Sequence, residues 1–333
     1  CHILDNLKDP KEYLDFPSFI RYRYLPKWCL SYFSFELQNL LDNILSRDRF
    51  DYIHISHSYM AHYALEYAGV TRVLDHHNVK TAFYKEAAAR TRNPLKKMDY
   101  LTEHYKWYKY EREVLDQFDV HTSCAESERE AIRSFVSAPV ELLPSGVDTD
   151  YFHPKQEEST GSNLIFTGTL EYFPNHEAVL YFCKEIFPAV LKDVPRASFH
   201  VVGRKPAPSL ERLFKSNPRC WLTSDVADMR PFFYQSTIFV VPLLNGAGTR
   251  LKIMEAMAAG LPVVSTSKGA EGLGLKNGEG ILIADDPNEF SYMVIGLLRD
   301  RGKREELRQK AIAISRERFS WKKVLTVLDR IYR

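Results

Sequence analysis

Residues 238–266, IFVVPLLNGAGTRLKIMEAMAAGLPVVST, leave this chain few ways to fold. IFVVPLL is an apolar run of the length of a buried strand. Asn245-Gly246-Ala247-Gly248 then turns the backbone, because glycine tolerates positive φ and lets a ligand approach the main chain. Thr249 reads as the N-cap of a helix in which Leu251, Met254 and Ala258 recur at helical spacing. Gly260 stops that helix, and Pro262-Val263-Val264 opens the next strand. A strand, a glycine turn and a bare helix N-terminus make an anion site, since unpaired N–H groups and the helix dipole face the ligand. Arg250 and Lys252 put two positive charges on the first helical turn, where they oppose the dipole and repel each other; a bound phosphate removes that cost. Glu255, about one turn further on, is placed to accept hydrogen bonds from a ribose diol. The plainer reading of the same residues is a helix with a solvated basic first turn.

The alternation extends along the chain. Strands are expected at 51–56, 72–75, 119–123, 140–144, 163–167, 198–202, 220–223, 238–241, 262–266 and 280–283. Helical stretches are expected at 35–45, 59–67, 81–118 with a break near Asn93-Pro94, 287–298, 303–317 and 321–332. Strands alternating with helices predict the α/β class, with doubly wound parallel sheets. A length of 333 residues favours two domains. The turn-rich Pro144-Ser145-Gly146-Val147-Asp148 and the polar stretch 155–162 place the boundary between them. The domains are then 1–148 and 149–318, with a C-terminal helix in 319–333 crossing back to the first. Gly168, Gly203 and Gly246/Gly248 each follow a strand. Carboxyl ends of strands line the ligand crevice in such sheets, so these turns are expected to converge.

Composition removes several alternatives. Lys+Arg 45 against Asp+Glu 43 leaves +2, which makes no case for a nucleic-acid partner. Five dispersed cysteines without a CxxC pair point to reduced thiols and the cytoplasm, not to a disulfide framework or a zinc site. No apolar run approaches a membrane span. Phe16, Phe19, Tyr22, Tyr24, Trp28, Tyr32, Phe33 and Phe35 crowd the first residues and read as core and cleft lining. With Arg21, Arg23 and Lys27, a membrane-facing patch is the alternative. KKMDYLTEHYKWYKYER (96–112) reads as a solvated helix face, with a membrane or an anionic acceptor as the alternative. Asp148-Thr149-Asp150 spells DxD but sits in the boundary turn and reads as structural. His54, His57 and His62 mix a strand with a loop and lack a carboxylate cluster, so no metal site is expected.

Several motifs in order carry a resemblance: LPSGVDTDYFHP (143–154), LIFTGTLEYFPNHEAV (164–179), FHVVG (199–203), PLLNGAGTRLKIMEAMAAGLPVVST (242–266) and GAEGL (269–273). Over nearly all of 140–320 the chain resembles the nucleotide-sugar-binding domain of retaining glycosyltransferases of family four. It is most similar to the bacterial subgroup with GTRLKILEAMA, tied to exopolysaccharide assembly. The resemblance implies the GT-B fold, two Rossmann-like domains facing a cleft. It implies retaining, metal-independent and cofactor-free transfer from a nucleoside-diphosphate sugar, UDP before GDP. The acceptor would be a glycan or a lipid-linked glycan in surface polysaccharide synthesis, handled by a cytoplasmic protein with a possible membrane contact at the inner face.

Residue by residue, Glu255 matches the second glutamate of the family's Glu-x7-Glu motif, which holds the donor ribose. The backbone of Gly248, Thr249 and Arg250 matches the loop that meets the diphosphate and donor sugar. His77, in RVLDHHN, matches the histidine near the reacting carbon, His76 being the weaker candidate. There are departures. The first glutamate falls at Ala247, which passes its sugar contact to Asn245. The usual Arg/Lys pair is replaced by Thr169 and Asn175, which leaves the charge to Arg250 and Lys252, with Arg204 and Lys205 in reserve. Ser145 replaces the usual asparagine. No first strand with a glycine-rich loop precedes 51–56, and the sequence begins at Cys1, so the first domain reads as lacking its N-terminal βαβ portion. A nucleotide-sugar epimerase or hydrolase, and a non-catalytic nucleotide-sugar-binding module, are the alternatives on the same architecture.

Overall fold

A computed structural model describes residues 25–155, 161–246 and 250–333. Phe16, Phe19, Arg21, Tyr22, Arg23 and Tyr24 lie outside the described residues, as do Ala247, Gly248 and Thr249. The chain divides into two compact units. The second is Pro144–Thr326; the first ends at Leu143 and includes Val327–Arg333.

In the first unit α1 (Lys27–Ser31) and α2 (Phe35–Arg47) precede β1 (Tyr52–Ser56), β2 (Thr71–His76), α3 (Lys80–Arg90), α4 (Pro94–Val114), β3 (Val120–Ser123), α5 (Glu126–Arg133) and β4 (Val140–Leu142). The strands pair in parallel in the order β1-β2-β3-β4. The helix expected at 59–67 is instead a 3₁₀ helix, Ser58–Ala64, tucked in by its buried Tyr59, Ala61 and Tyr63. The break near Asn93-Pro94 has a local cause. Asn93 Oδ1 accepts from Leu95 N and Lys96 N at 3.0 and 3.2 Å, and Pro94 takes the position where no N–H is needed. The core of this unit is built on Trp107, Phe118, Leu74 and Leu115. The buried Glu111 carboxylate of α4 accepts from Lys80 N and Thr81 N at 2.9 and 3.2 Å, which caps α3 from a neighbouring helix.

The second unit runs β5 (Asn163–Thr169), α6 (Phe173–Tyr181), α7 (Phe187–Asp193), β6 (Ser198–Arg204), α8 (Pro208–Lys215), β7 (Cys220–Ser224), α9 (Arg230–Gln235), β8 (Ile238–Val241), α10 (Leu251–Ala258), β9 (Val263–Ser265), α11 (Ser267–Ala270), β10 (Ile281–Ile283), α12 (Pro287–Arg299) and α13 (Arg301–Ile314), and the last helix, α14 (Trp321–Ile331), begins in this unit and ends in the first. Its strands are parallel in the order β10-β9-β8-β5-β6-β7, the doubly wound Rossmann order. Every residue of β8 and β9 is buried, as a parallel sheet covered on both faces requires. Phe182, Phe187, Phe199, Phe233, Phe239 and Phe290 fill the core. The strand order reverses between β5 and β8, so the crevice of this sheet opens at their carboxyl ends.

Candidate functional site

The backbone at that crevice tolerates no side chain. A Cβ at Gly203 would lie 1.9 Å from Gly168 O, so β5 and β6 approach here as only glycine permits. A Cβ at Gly168, where φ is +154°, would stand 2.8 Å from both Lys252 Nζ and Asn175 Nδ2. The space Gly168 leaves is therefore taken by two polar groups. Lys252, in the first turn of α10, donates from Nζ to Asn175 Oδ1 at 2.8 Å. Asn175 Nδ2 in turn donates to Thr169 O at 2.9 Å. The Lys252 ammonium also sits 4.3 Å from the centre of the Phe166 ring. Part of the residue's surface stays open to solvent, but its charged end is desolvated. Burial first, and repulsion from Arg250 second, push its pKa down to about 7, against the pull of Glu255. Burial raises the Glu255 carboxyl, and Lys252 opposes the rise.

Arg250 behaves differently from Lys252. It is 6% exposed, and its Nη2 donates to Gly246 O at 2.9 Å and Lys268 O at 3.2 Å. The guanidinium thus ties the glycine turn to α11. The N-cap of α10 is Arg250 and not Thr249, and no side chain caps it. Asn245 Nδ2 donates to Glu177 Oε2 at 2.8 Å, which holds the amide at the mouth of the crevice. Arg204 ends β6 with its side chain exposed, its main chain accepting from Leu170 N at 2.8 Å. Lys205 pairs with Glu171 at 3.0 Å on the surface. The crevice therefore gathers Gly168, Gly203, Asn245, Lys252 and Glu255, with Arg250 behind the turn; Gly248 and Thr249 are not described. Asn175, which orients Lys252, stood in the sequence only as a departure from a pattern. Its signal is the spacing that returns it beside Thr169 one turn into α6.

His77 belongs to the first unit, just past β2. Its Nε2 lies 3.0 Å from Asp75 Oδ2 and 3.2 Å from Ser56 Oγ. Asp75 Oδ1 accepts from Thr122 Oγ1 at 2.6 Å, so the carboxylate is anchored to β3. The hydrogen bond that His77 donates to the Asp75 carboxylate is the largest influence on the ring and raises its pKa. His57, at φ 75°, brings its ring within 4.1 Å of His77; burial and then His77 push its pKa down to about 4. His76 faces the other way, bonded to His121 at 2.9 Å, and burial pushes it down to about 3. The His62 ring packs against Phe33 and Tyr63, and desolvation there lowers its pKa to about 4. Asp148 Oδ1 accepts from Asp150 N and Tyr151 N at 3.0 and 2.9 Å, so the DxD forms a turn on itself.

The topology defines a doubly wound α/β protein, with a glycine-walled crevice at the switch point of its second unit. Residues 161–300, within the second unit, match the family model of the Glycosyl transferases group 1. An uncharacterized 44.6 kDa protein in the cps region of Klebsiella pneumoniae is 26% identical over 266 residues, which are 77% of this chain and 66% of that protein. Sucrose-phosphate synthase from Thermosynechococcus elongatus superposes with a TM-score of 0.69 at 15% identity, covering 91% of this chain and 80% of that one. TarM gives 0.66 at 12% identity, over 85% and 54%. A TarM variant from S. aureus, solved with fondaparinux, alpha-GlcNAc-glycerol and UDP, gives 0.60 at 13% identity, over 80% and 52%. The chain thus spans just under two thirds of the curated relative it matches and about half of TarM. These likenesses show the GT-B fold, with its Rossmann-like domains.

Proposed function

We propose that this chain is a glycosyltransferase that moves a sugar, with retention and without a metal, from a nucleoside-diphosphate donor to a glycan or lipid-linked acceptor. UDP is the favoured base, supported by the UDP bound to the TarM variant, and GDP is second. The setting is bacterial surface polysaccharide synthesis, in the cytoplasm at the inner face of the membrane, which the cps-region relative supports. The observation that carries the reading is the Lys252 ammonium, held in a desolvated pocket at the switch point by Asn175 and Gly168. As the bond to the diphosphate breaks, negative charge grows on the phosphate oxygens. A cation fixed in a low-dielectric pocket, beside the uncapped N-terminus of α10, stabilises that charge without reorganising. Glu255 holds the ribose. Arg250 shapes the glycine turn from behind. His77 keeps the role beside the reacting carbon that the resemblance implies.

Release of UDP from UDP-hexoses in the presence of a polysaccharide acceptor tests this. Wild-type turnover is expected in EDTA, and Lys252→Ala and Glu255→Ala are each expected to lower it by roughly a hundredfold. Wild-type rates in both variants remove the site, and loss of turnover in EDTA removes the metal-independent chemistry.

A further inference from the structure

We propose that the outward face of α4 is a docking surface for an anionic lipid bilayer. The inference rests on the preceding reading only in that a lipid-linked acceptor gives the chain a reason to meet a membrane. One face of α4 is ordinary: Glu103, Trp107, Tyr110, Glu111 and Val114 are buried. A helix that covers a sheet is expected to be polar on its opposite side. Here the opposite side is apolar. Met98 is 64% exposed, Leu101 48%, Tyr105 68% and Tyr108 40%, and they follow each other at helical spacing along one stripe. Leu95, at 73% exposed, opens the helix.

The borders of the stripe decide what fits it. Arg92, Lys96, Lys97, Lys109 and Arg112 are all exposed. The acidic residues of the helix do not answer them evenly. Glu103 and Glu111 are turned inward, where they accept from Lys27 N and from the first amides of α3. Asp99 pairs with Lys27, and Glu113 lies 3.8 Å from Lys109. The Arg112 guanidinium stands 5.3 Å over the Tyr108 ring. An apolar centre, amphipathic tyrosines and a cationic rim are what lies in the plane of a headgroup layer, with the long basic side chains reaching the phosphates. A second copy of the same face would set Lys97, Lys109 and Arg112 against their own images, so an anionic bilayer is the occupant whose charge is complementary. Among the described residues no helix is long and apolar enough to cross a membrane. The contact is therefore one of lying on the surface.

Flotation of the full chain with phosphatidylcholine vesicles, and with vesicles that also carry phosphatidylglycerol, tests the proposal. Wild-type protein is expected to float with the anionic vesicles only, and less so as salt is raised. The triple variant Met98→Ser, Leu101→Ser, Tyr105→Ser is expected to reduce flotation about tenfold, and so is Lys96→Glu with Lys97→Glu, a surface change that tests the rim should the triple variant misfold. UDP affinity is expected to stay unchanged in both. The proposal is overturned if wild type ignores anionic vesicles, or if both variants float as wild type does. It is also overturned if the stripe substitutions turn a dimer into a monomer while wild type binds no vesicle. Vesicle binding without UDP binding overturns the donor-site reading and leaves this one standing.

Discussion

At Lys252 the chain holds an ammonium 4.3 Å from a phenylalanine ring while Arg250 repels it. Such a group lowers stability, because desolvation outweighs its single bond to Asn175. Lys252→Met is therefore expected to stabilise the fold by about 1–2 kcal/mol, read as a higher urea midpoint, while it weakens diphosphate binding. An unchanged or lower midpoint contradicts the desolvation argument. His77 is the opposite case, with a partner that raises its pKa. Stability from the Asp75–His77 pair is complete below the unfolded histidine value of about 6.5 and is lost as pH rises through the higher folded value. Ser56, His57, Lys80 and Glu128 also face this ring or act on it, but Asp75 dominates. Asp75→Asn is expected to lower the His77 pKa in an NMR titration; an unmoved curve would show that Asp75 does not hold the proton there.

At the scale of elements, the close approach of β5 and β6 is the most brittle feature of the site. Gly203→Ala places a methyl group 1.9 Å from Gly168 O, and backbone cannot yield as a side chain does. A loss of about 3 kcal/mol or more is expected in urea unfolding, and a loss under 1 kcal/mol contradicts the packing. Much at this scale was legible. IFVV became β8 over the residues expected, and Pro287, Asn93-Pro94 and Gly260 punctuate helices where their chemistry predicts. Illegible were features set by distant partners. Arg250 turns inward because Gly246 O and Lys268 O meet there, and the latter comes from a different helix. Asn175 matters because α6 returns it to the end of β5. The apolar outer face of α4 is not legible in the sequence, since mixed lysines and tyrosines do not reveal which side of a helix is buried.

Over the whole molecule, two parallel sheets with helical crossovers follow from the repeated strand–helix alternation, and the second has the Rossmann order that fixes where its crevice opens. The division falls after Leu143, ahead of the expected 148, and Val327–Arg333 group with the first unit, where Tyr332 packs on Tyr52 with ring centres 5.0 Å apart. A near-neutral chain of +2 gives its ligands no long-range field, so recognition falls to the local cations of each site. The central claim is that Lys252 and the glycine walls of the second sheet hold a nucleoside diphosphate. Isothermal titration of the full chain with UDP, beside Lys252→Met, tests it most directly. The account predicts saturable binding by wild type that takes up a fraction of a proton near pH 7, as the phosphate recharges a lysine whose pKa is about 7, and binding at least about tenfold weaker in the variant. Equal affinity in the two proteins, or no binding of UDP or GDP by wild type, contradicts it.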